Sequence, residues 1–357
     1  MANEAKEGFT PTGKVYQSTT LPKPTEKTHK DLGISEEKLP AIFRNMYVQR
    51  RFEERAAQMY QKGKFGGFLH LYMGQEAVSA GTVTVLNDDD DIISAYRIHG
   101  MAIARGTSPE ACMAELFGKK TGCSKGKGGS MHFFDVKNHF WGGHAIVGAH
   151  IPLGAGIAMA NKYKKNGRVT MCFFGDGAVD QGSLNETFNM AQLWKLPVIF
   201  VVENNGYSMG TAVERHSAGQ LHMRGEAYGM KNGVANGMDF FSVVEKLQEI
   251  VAEVRETNMP YFLEVKTYRY RGHSMSDPAN YRTKDELEEF RSFDPIERLK
   301  TYMRDHDIMA QEQIDEVLEE VEQEILDAID FAENSEKPDE SEVFDDVYVQ
   351  EDFPFHK

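Results

Sequence analysis

Two short apolar runs constrain this chain more than any other feature. Val169–Phe174 leads straight into Gly175-Asp176-Gly177, and Val198–Val202 leads into Glu203-Asn204-Asn205-Gly206-Tyr207. Between them, Ser183–Trp194 has helical character, and Ser183 with Glu186 has capping-box spacing, which predicts a helix starting at Ser183. Strand, helix and strand in that order make a right-handed crossover in a parallel sheet, with the strands side by side or one apart. Ligands gather at the carboxyl ends of such strands. Asp176 and Asn205 then project from the same edge. A carboxylate plus an amide oxygen is hard ligation suited to magnesium or calcium. The N-terminus of the intervening helix adds backbone donors for a phosphate. Each tip alone is ordinary turn chemistry; together, each closing an apolar strand, they predict a magnesium–diphosphate site.

The same alternation extends along the chain. Helical faces are predicted over Glu36–Lys62, Gln75–Leu86, Pro152–Tyr163 and Phe241–Glu256, and strands over Ile92–Ala95 and Tyr261–Lys266. Ser108-Pro109 reads as a helix start, serine as cap and proline in the first turn. The expected fold is α/β, a doubly wound parallel sheet with helices on both faces, plus a helical C-terminal region. Three stretches are expected: an extended N-terminal arm over 1–34, the α/β domain over 35–283, and a helical extension with an acidic tail over 284–357. Arg269–Arg282 is polar and is expected to be a surface loop.

Several function classes fall away. A formal net charge of -15 leaves no basic stripe for a nucleic acid. No run of about 18 apolar residues exists to span a membrane. The 3 cysteines, Cys112, Cys123 and Cys172, lack paired spacing, which suits a reducing compartment. The first 40 residues hold no apolar signal core and no arginine before Arg44, so a bacterial cytoplasmic protein is expected. The glycine–lysine loop around Lys125 and Lys127 misses the Walker spacing. Gly175-Asp176-Gly177-Ala178-Val179-Asp180 misses the third small residue of a dinucleotide fingerprint, and Gly154-Ala155-Gly156 misses it at Met159.

GDG, then the 26 residues 178–203, then Asn204-Asn205, resembles the thiamine diphosphate signature. His70-Leu71-Tyr72-Met73-Gly74-Gln75-Glu76-Ala77, Ala95-Tyr96-Arg97, Lys125–His132 and Tyr270–Pro278 extend the likeness over about residues 35–335. Together they resemble the alpha subunits of the thiamine-diphosphate-dependent 2-oxo acid dehydrogenase family, on its pyruvate-specific branch. The resemblance implies that Asp176, Asn205 and the Tyr207 carbonyl hold Mg2+ against the diphosphate. It also implies phosphate contacts from Gly177 and Ala178, and cofactor contacts from Tyr96 and Arg97. Ala145 and Val147 are implied to meet the aminopyrimidine, although the family often has glycine at the first of these. His273, at the mouth of the site and near the cofactor, and His70, lining the substrate cavity, are the implied catalytic histidines. His99, His132, His139, His144 and His150 are expected to be structural.

In this family a beta subunit supplies the glutamate that pairs with the aminopyrimidine. The resemblance therefore implies two alpha and two beta chains, acting on a small 2-oxo acid and passing the acyl group to a lipoyl transacetylase core. Acetoin and branched-chain 2-oxo acid dehydrogenases share most of these motifs. A magnesium-dependent phosphotransferase using Asp176 and a non-catalytic assembly subunit are rivals from other classes.

Overall fold

The computed structural model describes residues 20–347. Much of the expected arm, residues 1–19, and the end of the acidic tail, 348–357, lie outside the described residues. The strands are β1 (Asp91–Ser94), β2 (Phe140–Gly143), β3 (Thr170–Gly175), β4 (Val198–Asn204), β5 (Tyr207–Ser208), β6 (Thr211–Ala212), β7 (Lys231–Asn236) and β8 (Tyr261–Lys266). The helices are α1 (Leu39–Gln61), α2 (Glu76–Val85), α3 (His99–Arg105), α4 (Pro109–Leu116), α5 (His150–Lys164) and α6 (Gly182–Trp194). They continue with α7 (Val213–His216), α8 (Phe240–Thr257), α9 (Lys284–Arg291), α10 (Pro295–Asp305) and α11 (Gln311–Asn334).

Six strands form one sheet in the order β2-β1-β3-β4-β8-β7, with every pairing parallel. Strand residues alternate between two cores. Ile93, Cys172, Phe174, Phe200 and Val202 pack with Ile151 and Ala155 of α5 and with Leu184 and Phe188 of α6. Ile92, Met171, Phe173, Ile199 and Val201 pack on the opposite face, with Met101 of α3 and Val243 and Leu247 of α8. Burial on both faces requires unbroken apolar strands, which is why β3 and β4 are so visible in the sequence. Each fully buried Val or Phe there contributes about 1.5–3 kcal/mol. The C-terminal helices fold back onto the rest: Ile296, Leu299 and Met303 of α10 join Leu39 and Phe43 of α1 and Phe240 of α8.

β3 and β4 are direct neighbours, with Gly175 opposite Glu203, so the two motif-bearing tips leave the sheet together. Ser108 caps α4 as expected, its hydroxyl accepting from the Ala111 N–H at 3.3 Å. The capping box at Ser183 does not form. α6 begins one residue earlier, with Gln181 at the cap, and the Ser183 hydroxyl donates to the Gly148 carbonyl at 3.1 Å. The neighbouring loop offered that hydroxyl an acceptor outside its own helix.

Candidate active site

The Asn205 tip is shaped by Gly206, whose φ of +90° turns the chain sharply between Asn205 and Tyr207. After that turn, Arg269 meets both residues. Its Nη1 donates to Asn205 Oδ1 at 3.2 Å and to the Tyr207 carbonyl at 2.6 Å. The Asn205 amide is oriented from its other side, where Nδ2 donates to Gln75 Oε1 at 3.3 Å. The opposing tip lies against the same hairpin: a Cβ on Gly177 would sit 2.2 Å from Ser208 Oγ, so only glycine fits. Asp176 is buried, and its Oδ2 faces His216 Nε2 at 3.4 Å. Bonds to Asp176 and then to Asp180 hold the His216 imidazole above its usual range. Ala178 is buried directly behind Gly177.

A second group gathers beside the tips. His70 Nδ1 lies 2.8 Å from the His273 carbonyl, and Arg97 Nη2 donates to that carbonyl at 2.9 Å. The rings of His70, His273 and Tyr96 pack together, with centroids 4.5 Å apart for His70–Tyr96 and 4.9 Å for His70–His273. Burial, and next the Arg97 charge, push His70 down to about 3 and His273 down to about 4. Both imidazoles are therefore neutral at pH 7. Since a carbonyl can only accept, His70 carries its proton on Nδ1 and keeps Nε2 as a base. The two histidines line a cavity of about 580 Å³ with Phe68, Met209, Ser274 and Asp277. Asp277 spends its carboxylate internally, on the His273 and Ala279 N–H groups and the Tyr281 hydroxyl.

The remaining expected contacts lie on the loop after β2. Val147 is exposed and Ala145 half-buried, with His144 Nδ1 tied to the Ser94 carbonyl at 3.2 Å. The histidines expected to be structural have partners in the fold. His99 bridges Glu53 and Ser130, His132 bonds the Gly143 carbonyl, His139 meets Asp91, and His150 bonds the Phe173 carbonyl.

The glycine–lysine loop proves to be closed from within. Glu115 collects the backbone N–H groups of Ser124, Gly126, Gly128 and Gly129, at 2.6–3.2 Å, so the concavity that would cradle a phosphate already holds a carboxylate.

Three participants escaped the sequence reading: Arg269, Gln75 and His216. Gln75 stands inside a quoted motif and Arg269 immediately before one, so proximity was the available signal; His216 has none. The expected surface loop over Arg269–Arg282 needs correction. It carries no helix or strand, but Arg269 and Tyr270 are buried: both terminal nitrogens of Arg269 bond within the fold, while the Tyr270 hydroxyl is buried without a partner among the described residues. Arg282 caps the carbonyls of Arg269 and Tyr270 at 2.6 and 2.9 Å.

What such a site can hold follows from its charges. Arg97 and Arg269 are buried, yet they donate to carbonyl and hydroxyl oxygens, and among the described residues neither bonds a carboxylate. A buried cation lacking a counter-charge is costly, so the site suits an anion. Gln75 Nε2, His273 Nδ1 and Arg269 Nε are buried with no hydrogen-bond partner among the described residues, as expected of polar groups that await a ligand. No group of three His, Cys, Asp or Glu side chains able to hold a metal occurs among the described residues. A divalent cation would depend on mixed oxygens: the Asp176 carboxylate, the Asn205 amide and the Tyr207 carbonyl. Those residues fit a cation bound together with a phosphate-bearing group.

Fold and site define a parallel α/β protein with buried, unpaired polar groups gathered beside two adjacent strand tips. The sequence profile of the dehydrogenase E1 component family matches residues 44–341, and the chain belongs to that family. A pyruvate dehydrogenase E1 component subunit alpha from Rickettsia bellii (strain RML369-C) is 47% identical over 308 residues, covering 86% of this chain and 94% of the relative. The subunit of the same name from Rhizobium meliloti (strain 1021) is 48% identical over 309 residues, covering 86% and 89%. A mitochondrial one from Dictyostelium discoideum is 47% identical over 321 residues, covering 89% and 84%. No helix among the described residues is long and apolar enough to cross a membrane.

Proposed function

We propose that the chain is the alpha subunit of a pyruvate dehydrogenase E1 component, decarboxylating pyruvate and passing the acetyl group to a lipoyl group. The observation that carries the substrate is the likeness, at nearly half identity, to relatives that bear that name over most of their length. The cofactor would be thiamine diphosphate with Mg2+. Asp176, Asn205 and the Tyr207 carbonyl would hold the ion, Gly177 and Ala178 would offer backbone contacts, and Arg97 would supply a planar donor to the diphosphate. When bound, thiamine diphosphate supplies the electron sink for decarboxylation.

The chain's own residues would bind, orient and move protons. Tyr96 and His273 pack edge to face beside the tips, centroids 5.6 Å apart, and would fix the cofactor's position. Partial burial and the Arg97 charge keep His70 and His273 neutral. His70 Nε2 keeps a lone pair that would act as a hydrogen-bond acceptor in the cavity, and His273 Nδ1 has no partner among the described residues. Ala145 and Val147 would meet the aminopyrimidine end.

A beta subunit is part of this reading. The cavity's one acidic lining residue, Asp277, is internally bonded, so the carboxylate needed at the aminopyrimidine would come from another chain. Ile146, Leu153 and Met159 are exposed along the loop after β2 and on α5, an apolar surface beside the site suited to such a partner. Two alpha and two beta chains would dock on a lipoyl transacetylase core in the bacterial cytoplasm.

The test is turnover with the beta chain and a lipoylated acceptor on pyruvate, acetoin and 3-methyl-2-oxobutanoate. Pyruvate should be fastest, and the chain alone should be inactive. Preference for either other substrate, or solitary turnover, would overturn the assignment.

A further inference from the structure

The oxygens that would bind a divalent ion are held by a positive group of the chain itself. Arg269 Nη1 donates to both Asn205 Oδ1 and the Tyr207 carbonyl, and Gln75 fixes the Asn205 amide with that oxygen presented. The guanidinium is buried, and among the described residues it bonds no carboxylate and leaves its Nε unpaired. Nη2 reaches the Met209 carbonyl and the Tyr281 hydroxyl. Tyr281 in turn donates to Asp277 Oδ2 at 2.8 Å, and that oxygen accepts from the His273 N–H at 2.6 Å. One chain of bonds therefore joins the cation oxygens to His273.

We propose that Arg269 is a built-in stand-in for the divalent cation, occupying the Asn205 and Tyr207 oxygens until the ion displaces it and thereby loosens the Tyr281–Asp277–His273 ties. The inference rests on the cation site assigned above. Its physical basis is exclusion. A guanidinium N–H and a metal ion cannot share the same two oxygens, and like charges repel at that distance. Apparent ion affinity is reduced by the fraction of molecules in which Arg269 holds the site. The closed form keeps the tips shaped with no ion bound, and ion entry becomes coupled to the segment that carries His273.

The experiment measures Mn2+ binding to the full-length chain assembled with its beta subunit, without thiamine diphosphate, by electron paramagnetic resonance. Arg269→Gln should bind Mn2+ about tenfold or more tightly than wild type, with Arg269→Lys between them, as expected when about nine molecules in ten start closed. In wild type, Mn2+ alone should also speed amide exchange in residues 269–282. Equal Mn2+ affinity in wild type and Arg269→Gln would overturn the proposal. Should Arg269→Gln fail to fold, unchanged exchange in wild type at saturating Mn2+ would overturn it equally. Thiamine diphosphate is then added. If wild type takes up Mn2+ with the cofactor while Arg269→Gln gains nothing without it, only the stand-in role fails. If wild type takes up no ion even with the cofactor, the underlying site assignment fails.

Discussion

Replacing Gly177 with alanine should weaken cofactor binding because the two strand tips touch at that residue. A Cβ there would lie 2.2 Å from Ser208 Oγ and 2.9 Å from Ser208 Cβ. The hydroxyl can rotate away, but Ser208 Cβ is fixed to β5, and carbon–carbon contact settles at about 3.5–4.0 Å. The hairpin must therefore retreat by roughly half an ångström or more, carrying Tyr207 and its carbonyl away from the Asp176 turn. Overpacking of this kind costs about 1–3 kcal/mol. Expressed in ligand affinity, that is roughly 5- to 150-fold. The assay is calorimetric titration of thiamine diphosphate at fixed Mg2+, on wild type, Gly177→Ala, Ser208→Gly and the double variant. Ser208→Gly removes both clashing atoms, so the double variant should recover most of the loss, and the cycle isolates the contact. Binding by Gly177→Ala within twofold of wild type, or no recovery in the double variant, would refute the reasoning.

Further outcomes follow from the buried charges. Burial pushes Glu203 up to about 7, against the pull of the Tyr72 hydroxyl at 2.5 Å and of Arg97. The unfolded chain loses that proton near its ordinary value, so Glu203 subtracts stability as pH rises through that interval. Glu203→Gln should gain on wild type by at most about 3 kcal/mol between pH ~4.5 and ~7 in urea melts, and a pH-independent difference would contradict this. His70 has the opposite sign. It stays neutral in the fold while the unfolded chain protonates, so stability present above pH ~6.5 is lost on acidification. His70→Gln should flatten that acid-side loss between pH ~6.5 and ~3, and an unchanged profile would exclude the buried neutral imidazole. Glu115→Ala strips four backbone N–H groups of their acceptor and should cost at least about 1.5–3 kcal/mol, read as a lower denaturant midpoint.

The parts of this molecule legible in its sequence are those with a redundant signal. β3 and β4 are buried on both faces, so each had to be apolar throughout, and their turns stood out against that background. β2 (Phe140-Trp141-Gly142-Gly143) and β7 (Lys231-Asn232-Gly233-Val234-Ala235-Asn236) were not legible. They are edge strands, held by a single neighbour each, and need no long apolar run. Polarity misled at Arg269 and Tyr270, because a charged or hydroxylated side chain reads as exposed unless its internal acceptors are known. For Arg269 they are the Asn205 amide oxygen, the Tyr207 and Met209 carbonyls and the Tyr281 hydroxyl, all brought close by the fold, whereas the Tyr270 hydroxyl is buried with none among the described residues; residue type encodes neither outcome. The same holds for Glu115, whose four donors come from a loop that looks from its glycines like a phosphate cradle. The histidine pair was legible by motif, but its neutral state was not, since that depends on burial and on the Arg97 charge.

The account depends on the tips of β3 and β4 sharing one divalent ion that also touches the cofactor's diphosphate. Mn2+ electron–nuclear double resonance on the assembled enzyme tests this directly, by reading phosphorus couplings at the bound ion. One ion per chain should appear with couplings from the diphosphate, and both ion and couplings should vanish in Asp176→Asn and weaken in Asn205→Ala. Cofactor uptake that needs no divalent ion, or couplings that survive in Asp176→Asn, would contradict the account.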